Sequence, residues 1–488
     1  MRPHQCTFVY LRLLILATFA WSVAACTSEP LAAEETPIST VFFPVVTATP
    51  PSTPAPGSAW SAIYGGEGFE EMEGLIVTQE GGLVITGATD SYNDSEEGDA
   101  WILKLAGDGQ IVWQRTYGGD KDESILDIRQ LPDGGFIAAG WTQSFGVSQT
   151  DFWLMRLDAQ GRVLWAKTYG GPGVEQAWSV DLTGDGGFVV AGGTTSFGAG
   201  AADYWVLRLD KGGNVVWQKS YGGPKDDGGG GDYEEYVVRV LVDRDGNYVL
   251  ASESASFGAG ETDIWMLKLG PDGSIIWQKA YGGEYEDGLW SFIEAADGGY
   301  IAPGSTVSFS PDVSGDTWVL RLNPDGSIRW QKVFGLANYW DEALSVGATR
   351  DGGAVIGAYD EEGTTDWDML LLRVDADGGL TWQRRYEYGW DWPNAIAEMP
   401  GGSLAMAGVA WDNDHGQDLD LWVMRLNADG SVAGSCDVVQ TLQVQQSEST
   451  STPTDTHATV QDTHATSQVV TPTVRDTSAA PRYLCPSQ

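Results

Sequence analysis

Seven acidic residues recur at the same point of a repeated segment: Glu70, Glu123, Glu175, Glu235, Asp287, Asp341 and Asp391. Two readings are open. If the carboxylates face a common axis, mutual repulsion raises some of their pKa values or recruits a hard cation such as Ca2+. If each instead accepts N–H bonds from a neighbouring loop, the recurrence is one structural bond written once per repeat. A second set, Asp99, Asp151, Asp203, Asp263, Asp316, Asp368 and Asp420, opens a later strand and suits the satisfaction of loop donors. Five residues on stand Lys104, Arg156, Arg208, Lys268, Arg321, Arg373 and Arg425, which read as partly exposed ion-pair partners, each worth little.

Residues that break the repeat say more about binding than residues that keep it, because packing does not demand them. Asp127 and Arg239 occupy a position held elsewhere by Gly74, Ser179, Ser291, Ser345 and Ala395, and there they would charge a central channel. Trp178, Trp290, Trp340, Trp390 and Trp392 fall outside the recurring tryptophan positions and are candidates for ligand contact. An acidic insertion, Lys225 to Tyr236, carries two tyrosines. Asp412, Asp414 and Asp418, in DNDHGQD, alternate oxygens as calcium loops do, without the full spacing of one. Of four histidines only His415 lies in the repeats, and the chain has neither a P-loop nor a Gly-x-Ser-x-Gly turn. Histidine triads and histidine-rich metal centres are therefore hard to build, and no catalytic residue is assigned. Carboxylate-only hydrolysis stays open, with no pair singled out.

Short strands position these groups. The tryptophans Trp60, Trp113, Trp165, Trp217, Trp277, Trp330 and Trp382 follow one another at 53, 52, 52, 60, 53 and 52 residues. A period of that length, with alternating strands and glycine turns, predicts an all-β fold: a seven-bladed β-propeller of four-stranded repeats. In the second repeat the expected strands are Glu123 to Arg129, Phe136 to Ala139, Asp151 to Leu157 and Arg162 to Tyr169. Because the repeats start on an outer-type strand, Trp60 to Tyr64, that strand should complete the last blade and close the ring, removing its open edge. A further series, Trp101, Trp153, Trp205, Trp265, Trp318 and Trp422, with Leu370 in the sixth copy, reads as packing between blades, a sugar platform being the sharper alternative.

The ends differ from the middle. Residues 1–25 carry Arg2 and Arg12, then the apolar run Leu13 to Phe19, too short to span a bilayer as a helix, and read as a secretory signal. Val23-Ala24-Ala25-Cys26 resembles the bacterial lipobox, whose cysteine is lipid-modified, which implies attachment to a membrane at Cys26; an ordinary cleavage site is the alternative. Residues 26–58 are rich in Pro, Thr and Ser and should form an extended tether to a ring spanning 59–435. Residues 436–488 are Ser/Thr-rich and of low complexity, and read as disordered or loosely docked. Cys436 and Cys485 are the pair left to form a disulfide in an exported protein. Acidic residues outnumber basic ones 68 to 27, a net charge of −41, which disfavours nucleic acid.

The segments of the WQKTYGG type resemble a family of bacterial exported seven-bladed propellers, over Trp60 to about Ser435. The stretch holding Leu157, Asp158, Gly161 and Trp165 is also similar to the tryptophan-docking motif of quinoprotein propellers, off by one residue in spacing, and the repeats are faintly similar to kelch and bulb-lectin repeats. From these likenesses only the packing role of the tryptophans carries over. The expected function is a monomeric, envelope-anchored, non-catalytic module that binds a protein or a glycan, without a cofactor unless Ca2+ is held. A carbohydrate-active or quinone-dependent enzyme and a passive scaffold are the alternatives.

Overall fold

The structure, a computed structural model, describes residues 57–432 except 93–97, 147–148, 229–237, 312–314, 336–338, 362–366 and 413–417, and the backbone of short strands between Val439 and Cys485. Residues 1–56, which hold the expected signal, Cys26 and most of the expected tether, and Cys436 lie outside the described residues. Seven antiparallel sheets follow one another along the chain. Blade 2 is typical: Glu123–Gln130, Phe136–Thr142, Asp151–Leu157 and Val163–Gly170, from the inside outward. The third strand is buried at every residue, whereas the outer strand alternates over its first half, so only the latter shows a two-residue hydrophobic rhythm. Hairpin turns are closed by glycines in the left-handed region, such as Gly134 and Gly161, where a side chain would be strained.

Closure is as expected. Trp60–Tyr64 pairs antiparallel with Asp418–Leu426, from Trp60 opposite Arg425 to Tyr64 opposite Leu421, and completes the seventh blade, Asp391–Glu398, Leu404–Asp412 and Asp418–Leu426. The third-strand tryptophans are 0–1% exposed and sit in the clusters between sheets. That burial supplies apolar area of the size needed to bind sheet to sheet.

The outer-strand aromatics explain the rest of the WQKxY signature. Trp113 Nε1 donates to the Ala159 carbonyl at 3.1 Å and Tyr117 Oη to the Gly161 carbonyl at 2.6 Å, both in the turn of the next blade. Tyr64, Tyr169, Tyr221, Tyr281 and Tyr386 repeat the tyrosine bond onto Gly109, Gly213, Gly273, Gly326 and Gly430. Blade 5 has Phe334 at that place and so no such donor. The other six blades are thus each fastened sideways by a buried hydroxyl bond worth about 1 kcal/mol net.

The tail departs from expectation. Instead of loose chain, residues 439–485 supply a fifth, outermost strand to every blade. Val439–Gln440 pairs with blade 6, Gln445–Glu448 with blade 5, Thr454–Asp455 with blade 4, Thr459–Asp462 with blade 3, Thr466–Val470 with blade 2 and Thr473–Asp476 with blade 1. Arg482–Cys485 then pairs with Trp60–Tyr64 on blade 7. The chain retraces the ring in reverse and covers the edge of each sheet in turn. An uncovered edge exposes a row of unpaired backbone groups, and pairing needs no apolar side chains, so a Thr- and Gln-rich sequence suffices.

Candidate functional site

Five of the recurring acids, Glu70, Glu123, Glu175, Asp287 and Asp391, accept hydrogen bonds at blade junctions, the arrangement of a repeated structural bond. Glu123 is 1% exposed and accepts Gly119 N at 2.8 Å, Thr142 Oγ1 at 2.7 Å and Ser144 N at 3.0 Å. Glu70 and Glu175 repeat the arrangement with Gly66 and Thr89, and with Gly171 and Thr194. Asp287 accepts Gly283 N at 2.7 Å and Thr306 Oγ1. Asp391 instead accepts Met369 N at 2.8 Å and Tyr388 N at 2.9 Å, and Asp341 is fully buried. In blade 4 the clasp is Asp227, which takes Gly223 N at 2.6 Å, Ser256 N at 3.3 Å and Ser254 Oγ. Glu235, assigned that place from the hairpin alignment, lies outside the described residues. The extra residues of this blade enter after the clasp, so counting four from the second glycine of Tyr-Gly-Gly, as in Gly119 to Glu123, finds Asp227.

The two acidic sets meet at these junctions. A Cβ placed on Gly118 would overlap Asp99 Oδ1 and lie 2.8 Å from Glu123 Oε2; Gly65, Gly170 and Gly282 bring together Asp420 with Glu70, Asp151 with Glu175, and Asp263 with Asp287 in the same way. Glycine is required there because only its bare Cα lets the two carboxylates approach. Burial, with Asp420 adding repulsion, pushes Glu70 up to about 8. Burial likewise raises Asp203 and Asp263 to about 6, with repulsion from Asp227 and Asp287.

The basic set reaches the turn acids on the opposite face: Lys104 to Glu80 at 2.5 Å, Lys268 to Asp243 at 2.7 Å and Arg321 to Asp297 at 2.5 Å. Arg425 instead donates to the Gly107 carbonyl at 2.9 Å. Among the described residues no three His, Cys, Asp or Glu side chains form a group able to hold a metal ion. The backbones of Asp412 and Asp418 pair in register beside the loop 413–417, and Asp414 lies outside the described residues.

Asp127 and Arg239 lie on inner strands, and their charge is largely used internally. Asp127 pairs with Arg129 and accepts Ser179 Oγ and Val180 N, both at 3.0 Å, which ties the inner strands of blades 2 and 3. Arg239 donates Nε to the Trp290 carbonyl at 3.1 Å and Nη1 to the Trp178 carbonyl at 3.4 Å, bridging blades 3 and 5. Burial pushes its pKa down, opposed by Asp127 and Glu73.

The tryptophans outside the repeat gather on the face where the inner strands begin. Trp178 and Trp392 are buried, at 4% and 7% exposure, whereas Trp290, Trp340 and Trp390 stay partly open. Their neighbours include aromatics that sequence reasoning passed over. Phe69, 37% exposed, lies 6.0 Å from Trp411; Trp411 lies 6.3 Å from Trp390, Trp390 6.3 Å from Trp367, and Trp367 5.6 Å from Tyr359. Trp367 also meets Trp392 edge-on at 5.7 Å. Glu342 anchors the far end, accepting Trp340 Nε1 at 3.3 Å, Tyr359 Oη at 2.9 Å, Ser305 Oγ at 3.3 Å and Trp290 Nε1. The signal in the sequence was the local density of aromatics in the sixth and seventh repeats, which exceeds what one or two packing positions per blade require.

No family model and no curated protein matches this chain. Among solved structures, a protein of unknown function from Dyadobacter fermentans DSM 18053 is 10% identical, covers 75% of this chain and 98% of its own, with a TM-score of 0.41. Polysaccharide lyase Uly1 is 9% identical over 76% of this chain and 99% of its own, TM-score 0.37. Puromycin hydrolase is 12% identical over 70% of this chain and 50% of its own, TM-score 0.41. At this level of overlap none of them bears on what this chain does.

Proposed function

We propose that the chain is a non-catalytic binding propeller, exported and held to a membrane by lipid at Cys26, whose aromatic arc receives a glycan. The observation that supports this reading is the run Phe69, Trp411, Trp390, Trp367 and Tyr359, continued through Glu342 to Trp340 and Trp290, at ring spacings of 5.6 to 6.3 Å. Partly open indoles in a row offer flat apolar faces with polar edges, which suits the alternating C–H and hydroxyl faces of a saccharide. Glu342 accepts four donors and acts in this reading as the organiser of the platform, while the paired junction acids are sealed in the sheet. A binder therefore fits the arrangement better than a carboxylate-pair hydrolase.

A glycan array probed with the wild type and with Trp390→Ala tests it. Retained glycans lost in the variant support the reading; an array silent for the wild type, or binding unaltered by the variant, sinks it. Reducing-sugar release from any retained glycan would move the assignment to an enzyme.

A further inference from the structure

We propose that the facing carboxylates at the blade junctions are held together by a shared proton, so that the ring is stapled more tightly in mildly acidic than in alkaline surroundings. Two side chains carry the argument. Asp203 and Asp263 are each 1% exposed; Gly200 N reaches Oδ2 of the first at 3.1 Å and Gly260 N reaches Oδ2 of the second at 3.0 Å, yet Oδ1 of each has no hydrogen-bond partner among the described residues. A buried carboxylate oxygen without a donor is costly. Both oxygens point at the glycine where the next blade's acid arrives. Asp263 Oδ1 lies against Gly282, with Asp287 Oδ2 2.9 Å from the same Cβ position, and Asp203 Oδ1 lies against Gly222, whose neighbour Gly223 donates its N–H to Asp227 Oδ2 at 2.6 Å. A proton between the two acids turns repulsion into a hydrogen bond and gives the orphan oxygen its partner.

The neighbourhood is acidic on all sides. Asp226 and Asp227 act on Asp203, Asp287 acts on Asp263, and Asp420 acts on Glu70 beside the Tyr92 hydroxyl, whose own pKa rises by burial and by these two acids. Blade 6 is solved differently. There Arg385 replaces the small residue of the repeat, 6% exposed, with Nε 2.9 Å from Asp368 Oδ2 and a second bond to Asp360. Where the chain supplies a cation, no proton is needed.

The sign follows from the raised values. The unfolded chain holds these protons only below about pH 4, whereas the folded ring keeps those of Asp203 and Asp263 to about 6 and that of Glu70 to about 8. Between those limits the folded state binds more protons, so its advantage is full in acid and is lost as pH rises through 6 to 8. Repulsion within a chain of net charge −41 has the same sign, so the junctions must be isolated by substitution.

Urea midpoints of the full chain at pH 5.5 and pH 8, for the wild type and for Asp203→Asn with Asp263→Asn, provide the test. An Asn amide donates permanently where the proton would sit. The variant's midpoint at pH 8 is expected to rise toward the wild-type value at pH 5.5, and the gap between the two pH values to shrink. An unchanged gap, or a variant less stable at pH 8, overturns the proposal. So does a wild-type melting temperature at pH 8 that excess calcium raises, since a cation would then occupy the site. Should the variant not fold, the infrared carbonyl band of protonated carboxyl groups in the wild type near neutral pH decides: its presence supports the shared proton and its absence refutes it.

Discussion

Blades 2 and 3 keep the repeat almost residue for residue, and blades 6 and 7 break it wherever a side chain can be spared. In the former, acid, threonine, glycine and tyrosine each form the same bond in the same place. In the latter, Leu370 replaces the buried tryptophan, Arg385 replaces a small residue, and Trp367, Trp390, Trp392 and Trp411 collect at one surface. A propeller needs each blade to pack on its neighbours and little else, so regularity reports stability and deviation reports added demands. The deviant blades therefore have to replace, by other means, the fastenings they lack.

The largest break in this comparison is Arg385→Thr, which restores the repeat but strands Asp360 and Asp368 in the core without their cation. We expect a loss of about 3–5 kcal/mol, read as a lower denaturant midpoint. Trp153→Ala, in a regular blade, should cost a similar or slightly smaller amount, about 3–5 kcal/mol, by opening a cavity between sheets. Ending the chain after Ser435 should leave the four-stranded ring folded while uncovering the outer strand of every blade, so that size-exclusion chromatography shows concentration-dependent association. Smaller still, Tyr169→Phe should cost about 1 kcal/mol, and Phe334→Tyr should gain up to as much by giving blade 5 the hydroxyl its siblings have. Least of all, Trp390→Ala should barely alter thermal unfolding, in contrast to its expected effect on the glycan array.

Much of the ring was legible because its burial rules are local. The repeat pattern and its glycine turns placed Asp151–Leu157 and Trp60–Tyr64 to the residue, and the outer-type start of the repeats foretold closure. The blade-4 clasp was misplaced because hairpins set the alignment, whereas the chemistry keeps a fixed count from the Tyr-Gly-Gly turn to the acid. The aromatic arc was half legible: Trp290, Trp340 and Trp390 stood out singly, but Glu342, Trp367 and Trp411 gain meaning only when the blades are brought together. The tail was not legible from composition, since edge pairing is made by backbone groups common to every sequence. Its one trace is the threonine that opens each of four strands, at Thr454, Thr459, Thr466 and Thr473.

The reverse circuit of the tail ends on the strand with which the ring begins. Trp60–Tyr64 is held on one flank by Asp418–Leu426 and on the other by Arg482–Cys485. A mechanical load transmitted through the residues upstream of Gly57 would therefore meet two ladders in shear, not one edge that could be peeled, and Arg482–Cys485 would help to set how much force Trp60–Tyr64 can bear.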